Sequence, residues 1–419
     1  GIYSYNWNTI KSTAQIQDLN NGYNVTQAYA GSFAPDSLGN IIGTQDNGTN
    51  YGQNGESDFT EIFGGDGSFC HVNQQYPDIA YVSSQNANIR KTGSLNQKIP
   101  STISAVSDDI RDDSPWFINP FEMNYLDGEL LFMPTQRGLW MSFDGAQFWS
   151  KIVDRKNNLY AVGIPYVTDP KRIYVGGDNL QLFRIEDPIN TEIGNEISLR
   201  KNIPAELNGG FISCITVHNR NDGTLYLSLS NFSNAPKVWR VDSAHTDNPV
   251  WANISGDLPE GLPANWIELD PYRPDNYLMV ATDFGLYTTS NGGQNWVKED
   301  KIPNVSIHNI RMRYTDRKLF VYTHGRGTWA ANLERIEDPY AGLENKKHLK
   351  ISVFPNPAKG EINIELSNPF SYEITGLDGK NLLSGKSVKS IDVSTLPKGT
   401  YILKATANTK NYTTRFVRE

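Results

Sequence analysis

The chain has 419 residues and a net charge of −8, with 11% aromatic residues and 35 glycines. That length allows two or three domains with a buried core, and no apolar run approaches the roughly 18 residues of a membrane-spanning helix. Residues 1–340 hold 26 Lys+Arg against 39 Asp+Glu, a net of −13, whereas 341–419 hold 12 against 7, a net of +5. An acidic body lacks the basic face that phosphates require, which excludes a nucleic-acid partner. The tail lysines are spread among strand residues and read as a solvated surface. Cys70 and Cys214 sit in similar apolar frames, "GSFCHVN" and "FISCITVH", without metal-ligand spacing, and read as core thiols.

In chain order, the opening "GIYSYNW" carries neither Met nor a charged-then-apolar leader, so the sequence reads as a mature, trimmed or partial product. A unit then recurs: a short apolar strand, a polar turn and a second strand. Its copies are "IIGTQDNGTN" (41–50), "AYVSSQNANI" (80–89), "LFMPTQRGLW" (131–140), "IYVGGDNLQL" (173–182), "LYLSLSNFSN" (225–234), "LMVATDFGLY" (278–287) and "LFVYTHGRGTW" (319–329). They lie about 40 to 53 residues apart, the period of a four-stranded propeller blade. Pro–Asp turns precede several copies, as in "YPDIAYV" and "DPYRPDNYLMV". Seven copies predict an all-β, seven-bladed propeller over 1–335, or a larger one truncated at its N-terminus. "GIYSYNW" reads as the third strand of a further blade. It either closes the ring near Gly327 or, the preferred reading, is the remnant of an upstream propeller.

Two stretches place the repeat. "SFDGAQFW" (Ser142, Asp144, Ala146, Trp149) and "TSNGGQNW" (Thr289, Asn291, Gly293, Trp296) resemble the Asp-box, S/T-x-D-x-G-x-x-W, of sialidase-like and sortilin-like propellers. In the first, Ala146 stands at the usual glycine; in the second, Asn291 stands at the usual Asp. The box is structural: an acid or amide binds turn amides, glycine takes φ > 0 and Trp packs beneath.

The resemblance raises the question of catalysis. "LFRIED" gives Phe183-Arg184-Ile185 but lacks the proline of the sialidase Phe-Arg-Ile-Pro motif and falls after the first box. A glycosidase could use two carboxylates across an axial groove. Asp46, Asp66, Asp178 and Asp283 all fall in turns or at strand ends, and Asp46, Asp178 and Asp283 are read as one repeat position, which favours capping. Asp46 and Asp66 are the candidate catalytic pair, because "GTQDNGT…GGDGSF" is richer in glycine than turns require. His324 with Arg326 reads either as a polar groove or as a blade end. No nucleophile elbow, phosphate loop, zinc pattern or calcium loop is present, so neither metal nor cofactor is expected.

Residues 336–348 read as a charged, proline-containing linker. Beyond it, "ISVF", "EINIEL", "YEITGL", "NLLSG", "SIDVS", "TYILKAT" and "TTRFVR" predict a small seven-stranded β-sandwich over 349–419. This module resembles the C-terminal sorting domain of type IX secretion cargo in the Bacteroidetes. The matching residues are Pro355, Asn356, Pro357, Ala358 and Gly360; Leu377, Asp378, Gly379 and Lys380; Leu396 to Tyr401, including Gly399; and Arg415-Phe416-Val417-Arg418. The resemblance implies passage through the periplasm and outer membrane, with the type IX translocon, an outer-membrane shuttle protein and a cell-surface sortase as partners. It implies a secreted or surface protein whose propeller binds glycan or protein. The alternatives are a propeller-type glycoside hydrolase and a component of the surface or gliding apparatus.

Overall fold

A computed structural model describes residues 25–35, 39–52, 59–95, 108–155, 158–207, 210–334, 351–364, 366, 369–376, 380–387, 389–407 and 410–419, and the backbone of short strands at 3–5, 16–18, 102–104 and 348–349. The chain divides into two compact units, Gly1–Ile336 and Glu337–Glu419.

Among the described residues, the first unit is a propeller of seven sheets in chain order with one short helix, Asp108–Asp112. Six are four-stranded (28–63, 70–104, 122–154, 159–198, 211–253 and 264–298), and the seventh (307–332) has three strands among the described residues. All pair antiparallel, and within each blade the strands neighbour one another in sequence order. Each of the seven repeat copies begins on a blade's second strand, and six run into its third, as with Asn40–Thr44 and Thr49–Gly52; the copy at 225–234 ends in the turn before Val238–Asp242. The second strands are buried on both faces, because each sheet packs between two others, whereas the last blade's third strand, Thr328–Asn332, is mostly exposed. The core is therefore a series of inter-blade layers. Phe132, Ile173 and Val175 share one, and Trp266, Ile310 and Val321 share another.

The ring closes where the last blade meets the first. Phe33 and Phe320 stack with ring centroids 4.8 Å apart. A Cβ on Gly31 would fall 2.1 Å from the Tyr322 ring, so only glycine fits there. The N–H groups of Gly325 and Gly327 donate to the Thr26 carbonyl at 3.2 and 3.1 Å. The seam thus involves Thr26 and Gln27, whereas Tyr3–Tyr5 pairs with Ile16–Asp18.

The second unit is a β-rich sandwich of a five-stranded and a three-stranded sheet. It contains the seven expected strands and an eighth, His348–Leu349, which pairs parallel with Asn411 and Tyr412. Residue 348 was expected to end a linker. Its strand is too short to show a period, and only pairing with a partner over 60 residues away defines it.

Candidate functional site

Antiparallel order puts the start of every first strand, and every second-to-third-strand turn, at one end of the propeller axis, here called the upper end. Four of these turns share a lock. The buried hydroxyls of Thr44, Thr135, Thr282 and Thr323 donate to the carbonyls of Gly48, Gly138, Gly285 and Gly327 at 2.7, 3.2, 2.6 and 2.6 Å. In four blades the N–H of the turn's first residue reaches the residue just before the blade's first strand: Gln45 to Gln27, Asp178 to Asn158, Asp283 to Pro263 and His324 to Ser306. Gln45, and not Asp46, therefore shares the position of Asp178 and Asp283. The sequence alignment slipped by one because the first blade's second strand opens on the polar Asn40, one residue before its apolar run begins. His324 belongs to this set too; its turn joins strands within the last blade and does not end it.

The expected catalytic pair is brought together, in a structural arrangement. Asp66 Oδ1 accepts the Asp46 N–H at 2.8 Å, and the Asp66 N–H donates to Gln85 Oε1 at 3.0 Å. Asp46 takes a left-handed φ of 60°. The surplus glycine has a backbone cause. Gly48 N–H donates to Gly65 O at 2.9 Å and Gly67 N–H to Thr44 O at 3.0 Å. A Cβ on Gly43 would meet Ser68 O, and one on Gly67 would lie 2.2 Å from Gly48 O. Two turns pressed together need these glycines without any ligand. Asp178 accepts a bond from Asn158, and Asp283 accepts from Asn265 and Ser306 at 2.8 and 2.9 Å.

His324 stacks on His308 at 4.5 Å and lies 5.4 Å from Tyr29. Burial, then the neighbouring His324, pushes His308 down to about 4, so it is uncharged at neutral pH. Arg184 of "LFRIED" is buried and donates to Ala244 O and Asp247, which leaves no free cationic face for an acid.

The box-like turns lie at the opposite, lower end, between third and fourth strands. Ser142 Oγ donates to Asp144 Oδ1 (2.9 Å), which also accepts from Gln147 and Phe148 N–H (both 3.0 Å). Thr289, Asn291 and Asn295 repeat the pattern, and Trp149 and Trp296 are buried beneath. Ala146 adopts φ 67° and Gly293 φ 87°.

The cavity on the propeller axis measures about 300 Å³ and is lined by the first strands of all seven blades. Its upper mouth is aromatic. Trp116 stacks on Tyr160 at 4.4 Å and Tyr160 on Phe211 at 4.6 Å, all three half-buried. Burial, with Asp178 beside it, pushes the Tyr160 phenol up to about 12, so it stays a neutral donor. Midway, Arg311 makes a two-point bond to Glu122 (3.0 and 2.8 Å) and lies over the Trp266 ring at 4.5 Å. His71 Nε2 meets the Phe121 carbonyl at 2.8 Å, and burial lowers its pKa to about 4. Glu268 is buried, and burial pushes its carboxyl up to about 8 against the opposing pull of Arg311. The Trp266 indole N–H lies beside it without completing a bond of ordinary geometry. Sequence reasoning missed this cluster, because its members are spread over four blades and share no motif.

No group of three or more His, Cys, Asp or Glu among the described residues could hold a metal ion. Cys70 and Cys214 are buried free thiols pushed up to about 12 by burial. No helix among the described residues is long and apolar enough to cross a membrane.

In the sandwich, the signature residues bind one another. Asn356 Oδ1 accepts the Val417 N–H at 2.8 Å, and Ala358 N–H donates to Val417 O at 2.7 Å. Tyr401 Oη donates to Pro397 O at 2.7 Å and its ring packs on Phe416 at 5.7 Å. Arg418 reaches Val393 O and Ser394 O at 3.3 Å. Pro355, Pro357, Gly399 and Arg415 are exposed, and Gly360 is half-buried. Asp378 and Gly379 lie outside the described residues.

The fold and the tail thus define a β-propeller joined to a sorting module, and comparison with known proteins agrees. Residues 352–419 match the family described as the secretion system C-terminal sorting domain. The tail therefore marks the chain as cargo of the type IX secretion system, bound for the cell surface or the extracellular space. Among solved structures, the chain is similar to a GH74 xyloglucanase from Xanthomonas campestris, at 14% identity over 93% of this chain and 74% of that one (TM-score 0.56). It is also similar to a GH74 enzyme from Niastella koreensis (12%, 94% and 66%, TM-score 0.54). A third similar structure is YCF48 bound to D1 peptide (14%, 75% and 95%, TM-score 0.53). At such identities the likeness is one of fold. The search of curated proteins found no match.

Proposed function

We propose that the exported propeller is a glycan-binding module that works at its upper mouth. The observation that carries this reading is the Trp116–Tyr160–Phe211 stack at the rim of the axial cavity. The outer rings of the stack, Trp116 and Phe211, offer flat faces for the C–H faces of sugar rings while Tyr160 holds them in place, and a few convergent polar groups orient the sugar. On this reading the turns at Asp144 and Asn291 are Asp-box turns that brace the lower rim. The body runs over 1–335, a linker over 336–348 and the sorting domain over 349–419. The translocon, a shuttle protein and a cell-surface sortase handle the tail.

A hydrolase would need two free carboxylates. The Asp66 bond to the turn of Asp46 favours binding over turnover. The test is affinity electrophoresis of the full chain through gels containing xyloglucan, mixed-linkage β-glucan, mannan or mucin, with a reducing-end assay alongside. Retardation by at least one polysaccharide, lost in Tyr160→Ala and without new reducing ends, is the expected result. Turnover abolished by both Asp46→Asn and Asp66→Asn would replace binding with hydrolysis. The absence of retardation in every gel would sink the glycan reading.

A further inference from the structure

Three aromatic rings meet across the lower end of the axial cavity. Below the Arg311–Glu122 pair, Tyr125, Tyr166 and Tyr314 follow the first strands of three blades and pack on each other with centroids 5.0 to 5.3 Å apart. All three line the cavity. Burial raises the pKa of each, so the plug is uncharged. A polymer cannot thread such a pocket, nor can the middle of a chain enter it. Only a chain end or a small molecule fits.

The pocket is also polar within. Among the described residues, Trp266 Nε1, Arg311 Nε and Gln74 Oε1 are buried without a completed hydrogen bond. All three belong to residues that line the cavity, and an unmet buried polar atom is costly.

We propose that this blind pocket captures the terminal sugar of a neutral polysaccharide chain, between aromatic walls (Tyr160, Phe211, Trp266) and the hydrogen-bonding Arg311, Glu122 and Glu268. This rests on the glycan-binding reading above and narrows it to chain ends. Charge balance selects the ligand class. Arg311 is matched by Glu122 through two bonds. His71 is uncharged above about pH 4, and Glu268 is a neutral acid below about pH 8. The pocket then offers no net charge. A peptide C-terminus or an acidic sugar would bring a carboxylate without an unpaired cation to meet it. A peptide N-terminus would bring an ammonium without an unpaired carboxylate. Hydroxyl groups need neither.

The volume agrees, since about 300 Å³ is at the small end of ligand pockets and far from a groove for several residues. Glu268 is a positioning and specificity residue in this scheme, because a neutral carboxyl both donates and accepts.

The test measures stoichiometry against chain length. The full chain is titrated calorimetrically with linear mixed-linkage β-glucan and linear mannan, each as a hexasaccharide and as a series of longer fractions. One bound protein per polysaccharide chain at every length is expected, because each chain has one end of the required kind. Glu268→Leu is expected to weaken binding about tenfold and Glu268→Gln to retain it. The Gln variant keeps the test valid if Leu fails to fold. Bound protein rising with chain length, with Glu268→Leu unaffected and Tyr160→Ala inactive, overturns the pocket while leaving the glycan reading intact. Failure to bind any glycan, with capture of a synthetic peptide bearing a free C-terminus, overturns both.

Discussion

The propeller and the sorting module use their most recognisable residues in different ways. In the tail, Asn356, Ala358, Tyr401 and Arg418 close the module's own fold, so the sequence signature is largely a folding signature. In the body, the recognisable turns also serve the fold, but the chemistry gathers on the axis, where unrelated residues of seven blades converge. The comparison teaches that a motif can mark a module's identity without marking the surface that acts. In the tail, a docking partner would find Pro355, Pro357 and Arg415 exposed. In the body, it would find the aromatic mouth.

The largest expected effect separates the two units. Deleting residues 345–419 should leave a propeller that stays in the periplasm. Fractionation and immunoblotting check this, and unimpaired export of the truncated chain would break the division of labour.

The next effect lies within the body. The fully buried Asp270 accepts two bonds from Arg317 (2.9 and 2.6 Å) and one from Arg273 (2.9 Å), tying the sixth blade to the seventh. Asp270→Ala strands a buried guanidinium and should cost about 3–5 kcal/mol in denaturant unfolding. Burial alone would raise the Asp270 pKa, but bonds from Arg317, the Tyr272 N–H and Arg273 outweigh it and hold the carboxyl below its usual value. Its contribution is therefore present above the ordinary carboxylate range and lost as pH falls through the lowered folded value.

Glu268 gives the opposite sign. Its carboxyl is faced by Arg311, Glu122, Cys214 and Tyr314. With a folded pKa of about 8 against an ordinary 4.5, the folded chain holds a proton that the unfolded chain releases. Stability should thus fall as pH rises from about 4.5 to about 8, and Glu268→Gln should flatten that slope. Melting temperatures of both proteins between pH 4 and 9 read it directly. An unchanged slope would show that the acid is ionised in the folded chain.

The smallest effects sharpen the comparison between the two lower-rim turns. Gly293→Ala puts a Cβ 2.3 Å from Ile254 O at φ 87°, and should cost about 1–3 kcal/mol. Ala146→Gly relieves a left-handed alanine but frees the unfolded backbone, so its net effect should stay within about 1 kcal/mol. Chemical denaturation of both variants measures the difference.

The blades were legible because each is local. Apolar pairs alternating with polar turns at a steady period declare a strand hairpin, and seven hairpins declare the ring. The tail was legible for the same reason, except for His348–Leu349, whose only signal is a distant partner. The candidate site was less legible. Asp46 and Asp66 were read as a candidate catalytic pair at turns, and their glycines answer to backbone contact between two turns. Tyr160, Phe211, Trp266, Glu268 and Arg311 carry no spacing that links them.

The sequence by itself determined the repeat, the all-β class, the basic tail and the export address, since each is written in residues close together along the chain. Only the tertiary structure decided that three tyrosines meet across the lower end of the axis, that Arg311 is neutralised by Glu122, and that Glu268 is left as a buried acid. Those properties arise from side chains that meet only when seven blades close into a ring, and burial and charge pairing are set by such meetings.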